Sequence, residues 1–330
     1  MAAGATKLVI GASGFLGSHV TRQLVERGDR VRVLVRTTSS TKSIDDLEVE
    51  RQCGDVFDDD VLRTAMAGCD DVYYCVVDTR AWLRDPTPLF QTNVDGLVHV
   101  LDAAVDANLR RFVFTSTIGT IALSDDGPAT EDQPFNWSDR CGAYIRSRVD
   151  AENLVLRYAR ERGLPAVAMC VSNTYGPRDW QPKHGALLAA AGAGKMPFHI
   201  KGIGTEVVGI EDAARAFLLA AEKGRVGERY IISERFITTR ELYDTAADAG
   251  GVRRPPFGIP LKAVYAAGLL GDLAAKVSRR DVPLTSVMVR LMHIMSPMDH
   301  GKASRELGWE PEPIYDSIYK AVEFYRARVD

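Results

Sequence analysis

Two kinds of block alternate along the first half of the chain. KLVI at 7–10, VRVLV at 31–35, DVYYCVV at 71–77, RFVFTS at 111–116 and AVAMCV at 166–171 are short and apolar almost throughout, which predicts strands buried on both faces. Between them, apolar residues recur at helical spacing. In FLGSHVTRQLVER at 15–27, Phe15, Leu16, Val20, Leu24 and Val25 share one face, and Gly28-Asp29 then supplies a turn. The same reading gives a short strand near 49–53, a helix near 58–67, a long helix from about Leu89 to Ala107, and a helix over 143–162 ended by Gly163 and Pro165. Apolar strands alternating with amphipathic helices predict an α/β fold, a doubly wound parallel sheet covered on both faces.

After Tyr175 the regularity fails, and Pro177, Pro182, Gly185 and Pro197 punctuate the chain. VVGIEDAARAFLLAAEKG predicts a short extended piece and then a helix, and RYIIS one more strand. The expected organisation is a sheet domain over 1–172 and a smaller, mostly helical lobe over 173–330, with a segment near 205–235 returning to the sheet. The longest apolar stretch, PLKAVYAAGLLGDLAAKV, is interrupted by Lys262, Asp272 and Lys276, so it is not expected to span a bilayer. It is read as a helix covering a ligand pocket, with a position on a membrane surface as the other use.

Composition narrows the function classes. The 330 residues carry a net charge of −3, which gives no electrostatic reason to expect nucleic acid or an anionic membrane as partner. The five cysteines (53, 69, 75, 141 and 170) form no CxxC pair and several lie in apolar runs, as buried free thiols of a reducing compartment do. No stretch at the start resembles a secretory signal, and a cytoplasmic location is expected. No His/Cys/Asp/Glu group has metal-ligand spacing, so no metal is expected, and without GxSxG a hydrolase has no support.

The first strand runs directly into Gly11-Ala-Ser-Gly14-Phe-Leu-Gly17 and a helix. The first glycine permits a tight turn, the second lets backbone approach a pyrophosphate, and the third lets helix and strand pack closely. Helix N–H groups and the positive dipole end then face the phosphates, so Gly11, Ser13, Gly14, Phe15, Leu16 and Gly17 are expected to cradle a dinucleotide on a Rossmann-type domain. At the end of the second strand stands Arg36, followed by Thr37, Thr38, Ser39 and Ser40, where an acidic residue would hold the ribose of NAD. A guanidinium with hydroxyls, Arg36 and Ser39 foremost, suits a 2′-phosphate, so NADP is expected, with NAD the alternative. Asp55, with Val56, closes the third strand where an adenine ring would lie, and Val76 ends the fourth.

In AYIRSRVDAE, Tyr144 and Arg148 stand four apart on one helix face. A fixed cation favours phenolate, so Arg148 is expected to pull Tyr144 down towards working pH, making it a proton donor or acceptor for a carbonyl. Thr117 or Ser116, at the end of the fifth strand, is placed to hold the substrate oxygen.

GASGFLGSHV, GDVFDDDVL, NVDGLVHVLDAA, RFVFTSTIGTIA, YIRSRVDAE, NTYGPRDW and GKASRELGWEP together span nearly the whole chain. In this order the chain resembles the extended short-chain dehydrogenase/reductases, on the branch of 3β-hydroxysteroid dehydrogenases, dihydroflavonol reductases and nucleotide-sugar epimerases. The resemblance implies a catalytic set at Thr117, Tyr144 and position 148, and places Asn173, Thr174 and Tyr175 beside the nicotinamide. It also implies a homodimer through the 89–107 and 143–162 helices. Position 148 departs from the family, whose residue there is lysine. The charge survives, but a planar fork that does not deprotonate replaces a compact ammonium.

Trp82, Leu83, Phe135, Trp137 and Trp180 fall in predicted loops and, with Tyr175, would line a slot for an apolar ring compound. Met196, Pro197, Phe198 and the run 287–298 are read as core before pocket. The expected activity is NADP(H)-dependent interconversion of a carbonyl and a secondary alcohol on a steroid- or flavonoid-like ketone or an aldehyde. A nucleotide-sugar epimerase or dehydratase, using Arg178, Lys183 and Lys201 on a pyrophosphate, is the alternative; Arg36 argues against its retained NAD. A redox-sensing NADP-binding module with weak turnover is the alternative from outside enzymology. His184, before an alanine-rich helix, is read as a loop or capping residue.

Overall fold

A computed structural model describes residues 6–182 and 185–328. The first half alternates as the apolar blocks predict: β1 (Thr6–Ile10), α1 (Phe15–Glu26), β2 (Arg30–Val35), β3 (Glu50–Cys53), α2 (Asp59–Met66), β4 (Cys69–Tyr74), α3 (Thr87–Phe90), α4 (Gly96–Asp106), β5 (Arg111–Thr117), α5 (Gly142–Arg162) and β6 (Ala166–Val171). The second half contains β7 (Asn173–Tyr175), α6 (Gly185–Gly192), β8 (Phe198–Lys201), β9 (Gly204–Gly209), α7 (Ile210–Lys223), β10 (Arg229–Ile232), β11 (Arg235–Thr238) and α8 (Thr239–Ala249). It closes with β12 (Phe257–Pro260), α9 (Leu261–Ser278), α10 (Ser286–Leu291), α11 (Gly301–Leu307) and α12 (Ile314–Arg326).

Seven parallel strands form the main sheet in the order β3-β2-β1-β4-β5-β6-β10. Every residue of β1 and of β6 is buried, because helices cover both faces. The strand order reverses between β1 and β4, which opens the ligand crevice of a doubly wound sheet at the carboxyl ends of these strands. RYIIS is the last strand of this sheet, pairing with β6, and the helix before it, α7, packs on α1. The chain therefore returns to the first half after leaving it. It does so again near the end: Trp309, from GKASRELGWEP, is fully buried in the same core and donates its indole N–H to the Asp212 carbonyl at 2.9 Å.

Two local differences from the sequence reading matter for the site. The long helix expected from Leu89 to Ala107 is interrupted by one π-turn, Gln91–Asp95, between α3 and α4. The second lobe also holds more strand than its composition predicts: β7, β9 and β11 form one small sheet, and β8 pairs with β12 in another. These strands are three to six residues long, too short for a two-residue period to stand out among prolines and glycines. All five cysteines are free.

Candidate active site

The glycine turn has the geometry that its residues require. Gly11 takes φ +89°, and a Cβ there would lie 2.9 Å from the Cys75 carbonyl carbon; at Gly17 it would lie 2.3 Å from the Gly11 oxygen. Those two glycines let β1, β4 and α1 approach one another. Gly14 differs: it is exposed, it caps α1 without any side-chain hydrogen bond, and a Cβ there would meet only the Gly11 oxygen, at 3.3 Å. No acidic residue occupies the first turn of α1. The helix start is open to an anion, with the dipole and backbone N–H groups facing outwards.

Several of the other expected nucleotide contacts follow the strands beside this turn. Ser43 donates its hydroxyl to the Ser13 carbonyl at 3.1 Å, so the loop after β2 is tied to the glycines. Arg36 is exposed directly after β2 and has no carboxylate partner among the described residues; the Ser39 N–H closes a turn onto its carbonyl. Asp55 holds the Phe57 N–H through its carboxylate, Val56 packs against Gly96 of α4, and Val76 is half-buried beside Gly11. Asn173 and Thr174 are half-buried on β7, where the Asn173 amide donates to the Thr205 hydroxyl.

Next along the same sheet edge, α5 presents Tyr144, Arg148 and Glu152 at four-residue intervals towards the ends of β5 and β6. Thr117 ends β5. Its oxygen accepts the Gly119 N–H at 3.2 Å, and its hydroxyl bears on the Tyr144 phenol, favouring the ionised form. Arg148 is completely buried. One Nη donates to the Thr115 carbonyl, and the guanidinium lies 5.1 Å from the centroid of the Phe114 ring. Its Nε and other Nη have no protein partner among the described residues.

Tyr144 corrects the sequence reading. Arg148 and Thr117 do pull its pKa down, but burial acts more strongly, and the net direction is up. The helical spacing of two residues gives the sign of their interaction; the desolvation that outweighs it depends on what packs around them. Tyr144 belongs to an apolar cluster with Phe135, Trp137, Ile145, Leu291 and Ile294. Burial likewise pushes Arg148 below the usual arginine range, with Tyr144 and Tyr74 opposing it.

Ser116 does not join the site. Side chains alternate along β5, and its hydroxyl is buried and donates to the Glu152 carboxylate, which also accepts Thr120 at 2.8 Å and Arg229 at 3.0 Å. Tyr175 is in the core of the second lobe with Leu188, Val207 and Ile318. Trp180 is packed down as an anchor, its ring under Lys42 and Arg328 and edge-on to Phe324. Trp137 is buried as well, its indole N–H donating to the Ile121 carbonyl at 3.0 Å, and it supports the site from beneath. Trp82 and Leu83 are half-buried in the loop after β4. Met196 packs on the second-lobe core. Lys183 and His184 lie outside the described residues.

Asn93, absent from the sequence-derived set, proves central to this geometry. It is buried in the π-turn, where its amide donates to the Asp78 carbonyl at 2.9 Å and to the Ser147 hydroxyl at 3.0 Å. The Asp78 N–H donates back to its side-chain oxygen at 2.8 Å. Asn93 thus locks the loop after β4 to the helix that carries Tyr144. In LFQTNVDGLVHV Asn93 is one of several polar residues, so the sequence does not single it out; it is the π-turn that does, and π-turns recur at functional positions.

Comparison with known proteins gives the family and the fold. The NAD dependent epimerase/dehydratase family matches residues 7–233. The chain is 29% identical to a protein named sterol demethylase protein B from Methylococcus capsulatus, over 98% of this chain and 99% of that protein. It is 27% identical to a putative dihydroflavonol 4-reductase from Synechocystis, over 96% of this chain and 94% of the other. Among solved structures, gox2253 superposes with a TM-score of 0.86 at 32% identity, with 98% of each chain covered.

Proposed function

Since the chain belongs to the NAD dependent epimerase/dehydratase family, within the extended short-chain dehydrogenase/reductases, we propose that it is an NADP(H)-dependent reductase acting on an apolar, ring-bearing ketone or aldehyde. The observation that carries the reading is the convergence of Thr117, Tyr144 and Arg148 at the carboxyl edge of the sheet that bears the glycine turn, with Tyr144 in an apolar cluster that includes Phe135, Leu291 and Ile294. A bound nicotinamide would supply or accept a hydride. Gly14 and the start of α1 would hold its pyrophosphate, and Arg36 with Ser39 would hold the 2′-phosphate that distinguishes NADP.

The Nε and Nη of Arg148 that lack a protein partner would donate to the nicotinamide ribose, and its charge acts on the phenol. Tyr144, whose pKa lies above its ordinary value, keeps its proton at neutral pH and so can give it to the oxygen of a carbonyl under reduction. Thr117 orients that oxygen. As that proton passes to the substrate oxygen, the Arg148 charge stabilises the phenolate left on Tyr144 until solvent returns a proton to it. The apolar cover excludes water and favours a ring system over a charged nucleotide sugar. Arg178, a candidate for a sugar-nucleotide pyrophosphate, is instead paired with Asp46 at 3.2 Å.

The reading is tested by following NADPH oxidation with a panel of steroid ketones, flavonoid ketones and aldehydes. Turnover on at least one member, lost in Tyr144→Phe, is expected. NADPH binding without turnover on any member would favour the redox-sensing module.

A further inference from the structure

Helix α9 has two unlike faces. Gly268, Gly271 and Ala275 form the inner one; a Cβ on Gly268 would lie 3.0 Å from the Val289 side chain, and one on Gly271 would lie 1.8 Å from the Leu284 oxygen. Asp272 accepts the Ser286 N–H, and Tyr265 shares a 2.6 Å hydrogen bond with His293. The outer face carries Leu269, Leu270, Leu273 and Val277, which are 60%, 67%, 57% and 77% exposed. At i, i+1, i+4 and i+8 they form one continuous stripe, and Phe257, on the strand leading into α9, is 69% exposed. Stripes of this kind on a soluble surface mark a docking face.

Its charges indicate the occupant. Lys262 is the second residue of the helix, in line with the stripe, and Lys276, Arg279 and Arg280 gather at the other end. All four are exposed and none has a carboxylate partner among the described residues. The acidic residue of the helix, Asp272, is turned inwards. A second copy docked antiparallel would set Lys262 against Lys276 and the two arginines, which repel. A surface with an apolar interior and anionic headgroups matches both features, because long basic side chains reach the headgroups while leucines enter beneath them. At about 27 Å for 18 residues the helix would lie along such a surface, and no helix of the described residues is long and apolar enough to cross one.

We propose that the outer face of α9 docks on an anionic lipid membrane. The docked face is joined to the candidate site: α10, against which α9 packs, leads to Leu291 and Ile294 of the apolar cluster that includes Tyr144, and Asp281 just after α9 accepts the Arg84 N–H of the loop that bears Trp82. A membrane-dissolved ketone would then reach the site without crossing bulk water. The docking argument itself does not depend on the reaction proposed above.

The test is flotation of the full chain with vesicles of phosphatidylcholine containing about one-third phosphatidylglycerol, beside vesicles of phosphatidylcholine alone. Binding to the anionic vesicles is expected, falling roughly tenfold or more in Leu270→Glu/Leu273→Glu. A loss of several-fold is expected in Lys276→Glu/Arg279→Glu/Arg280→Glu or at about 0.5 M salt. Thermal melting and NADPH affinity report that the variants are folded. No binding to anionic vesicles, or equal binding by the leucine variant, overturns the proposal. A concentration-dependent dimer that the leucine variant dissolves, without vesicle binding, assigns the face to a second copy instead.

Discussion

Lys7 and Arg148 are buried cations at opposite ends of one sheet. Lys7, on β1 at the amino-terminal edge, lies 2.7 Å from Asp71, its neighbour across the ladder on β4, and Arg110 closes on the same carboxylate. Arg148, at the carboxyl-terminal edge, has a carbonyl, the face of Phe114 and two nitrogens without a protein partner. A buried charge that is paired can be part of the scaffold, whereas one left partly unsatisfied weakens the fold and persists where something else needs it. The sheet thus pairs its buried lysine with a carboxylate at the floor, although Asp71 Oδ1 and Arg111 Nη1 there have no partner among the described residues, and leaves the buried arginine without a carboxylate at the mouth, where a doubly wound fold binds its ligand.

Substitutions at the two ends should separate stability from activity. The largest effect is expected at the mouth: Tyr144→Phe lowers kcat by roughly 10²–10⁴ on an accepted ketone while leaving the melting temperature in place, measured by steady-state NADPH oxidation beside thermal melts. At the floor, Asp71→Asn strands Lys7 and is expected to lower stability by about 3–5 kcal/mol in denaturant titrations. NADPH affinity of the folded fraction should not change. If Asp71→Asn were harmless, the floor would be no better matched than the mouth, and the contrast would fail.

A pH series sharpens the contrast from a third position. His19, on α1, is buried with its Nε2 3.0 Å from the Pro177 carbonyl, and burial pushes its pKa down to about 4. The unfolded chain takes up this proton near pH 6.5 and the folded chain does not. Stability is therefore full above about 6.5, falls by about 3 kcal/mol as pH drops towards 4, and is level below that. His19→Gln should flatten this part of the curve. The smallest expected effect is at Arg36, where replacement by Ala weakens NADPH relative to NADH by roughly tenfold, read from the ratio of dissociation constants.

How much of this was legible in the sequence depends on the range of the interaction. The parallel sheet was visible because β1 and β6 are apolar along their whole length, and burial on both faces leaves that mark. The glycine turn and the Tyr144–Arg148 pair were visible because both are set by spacing within one element. Ser116, Tyr175 and Trp180 were not, since their surroundings come from distant segments: Glu152 on α5, the α12 core and Arg328. The sign of the Tyr144 shift failed for the same reason. A charge four residues away can be read from sequence, but desolvation by the tertiary packing around Tyr144, whose cluster draws on Leu291 and Ile294 far along the chain, cannot.

The most direct test of the central claim is to replace Arg148 with Met and measure, on the same preparation, the melting temperature and the NADPH dissociation constant. If the guanidinium is held unsatisfied for the nucleotide, the melting temperature stays level or rises by a few degrees while NADPH binds roughly tenfold or more weakly. A variant that melts well below the parent yet binds NADPH unchanged would show Arg148 to be part of the scaffold, like Lys7, and would contradict the account.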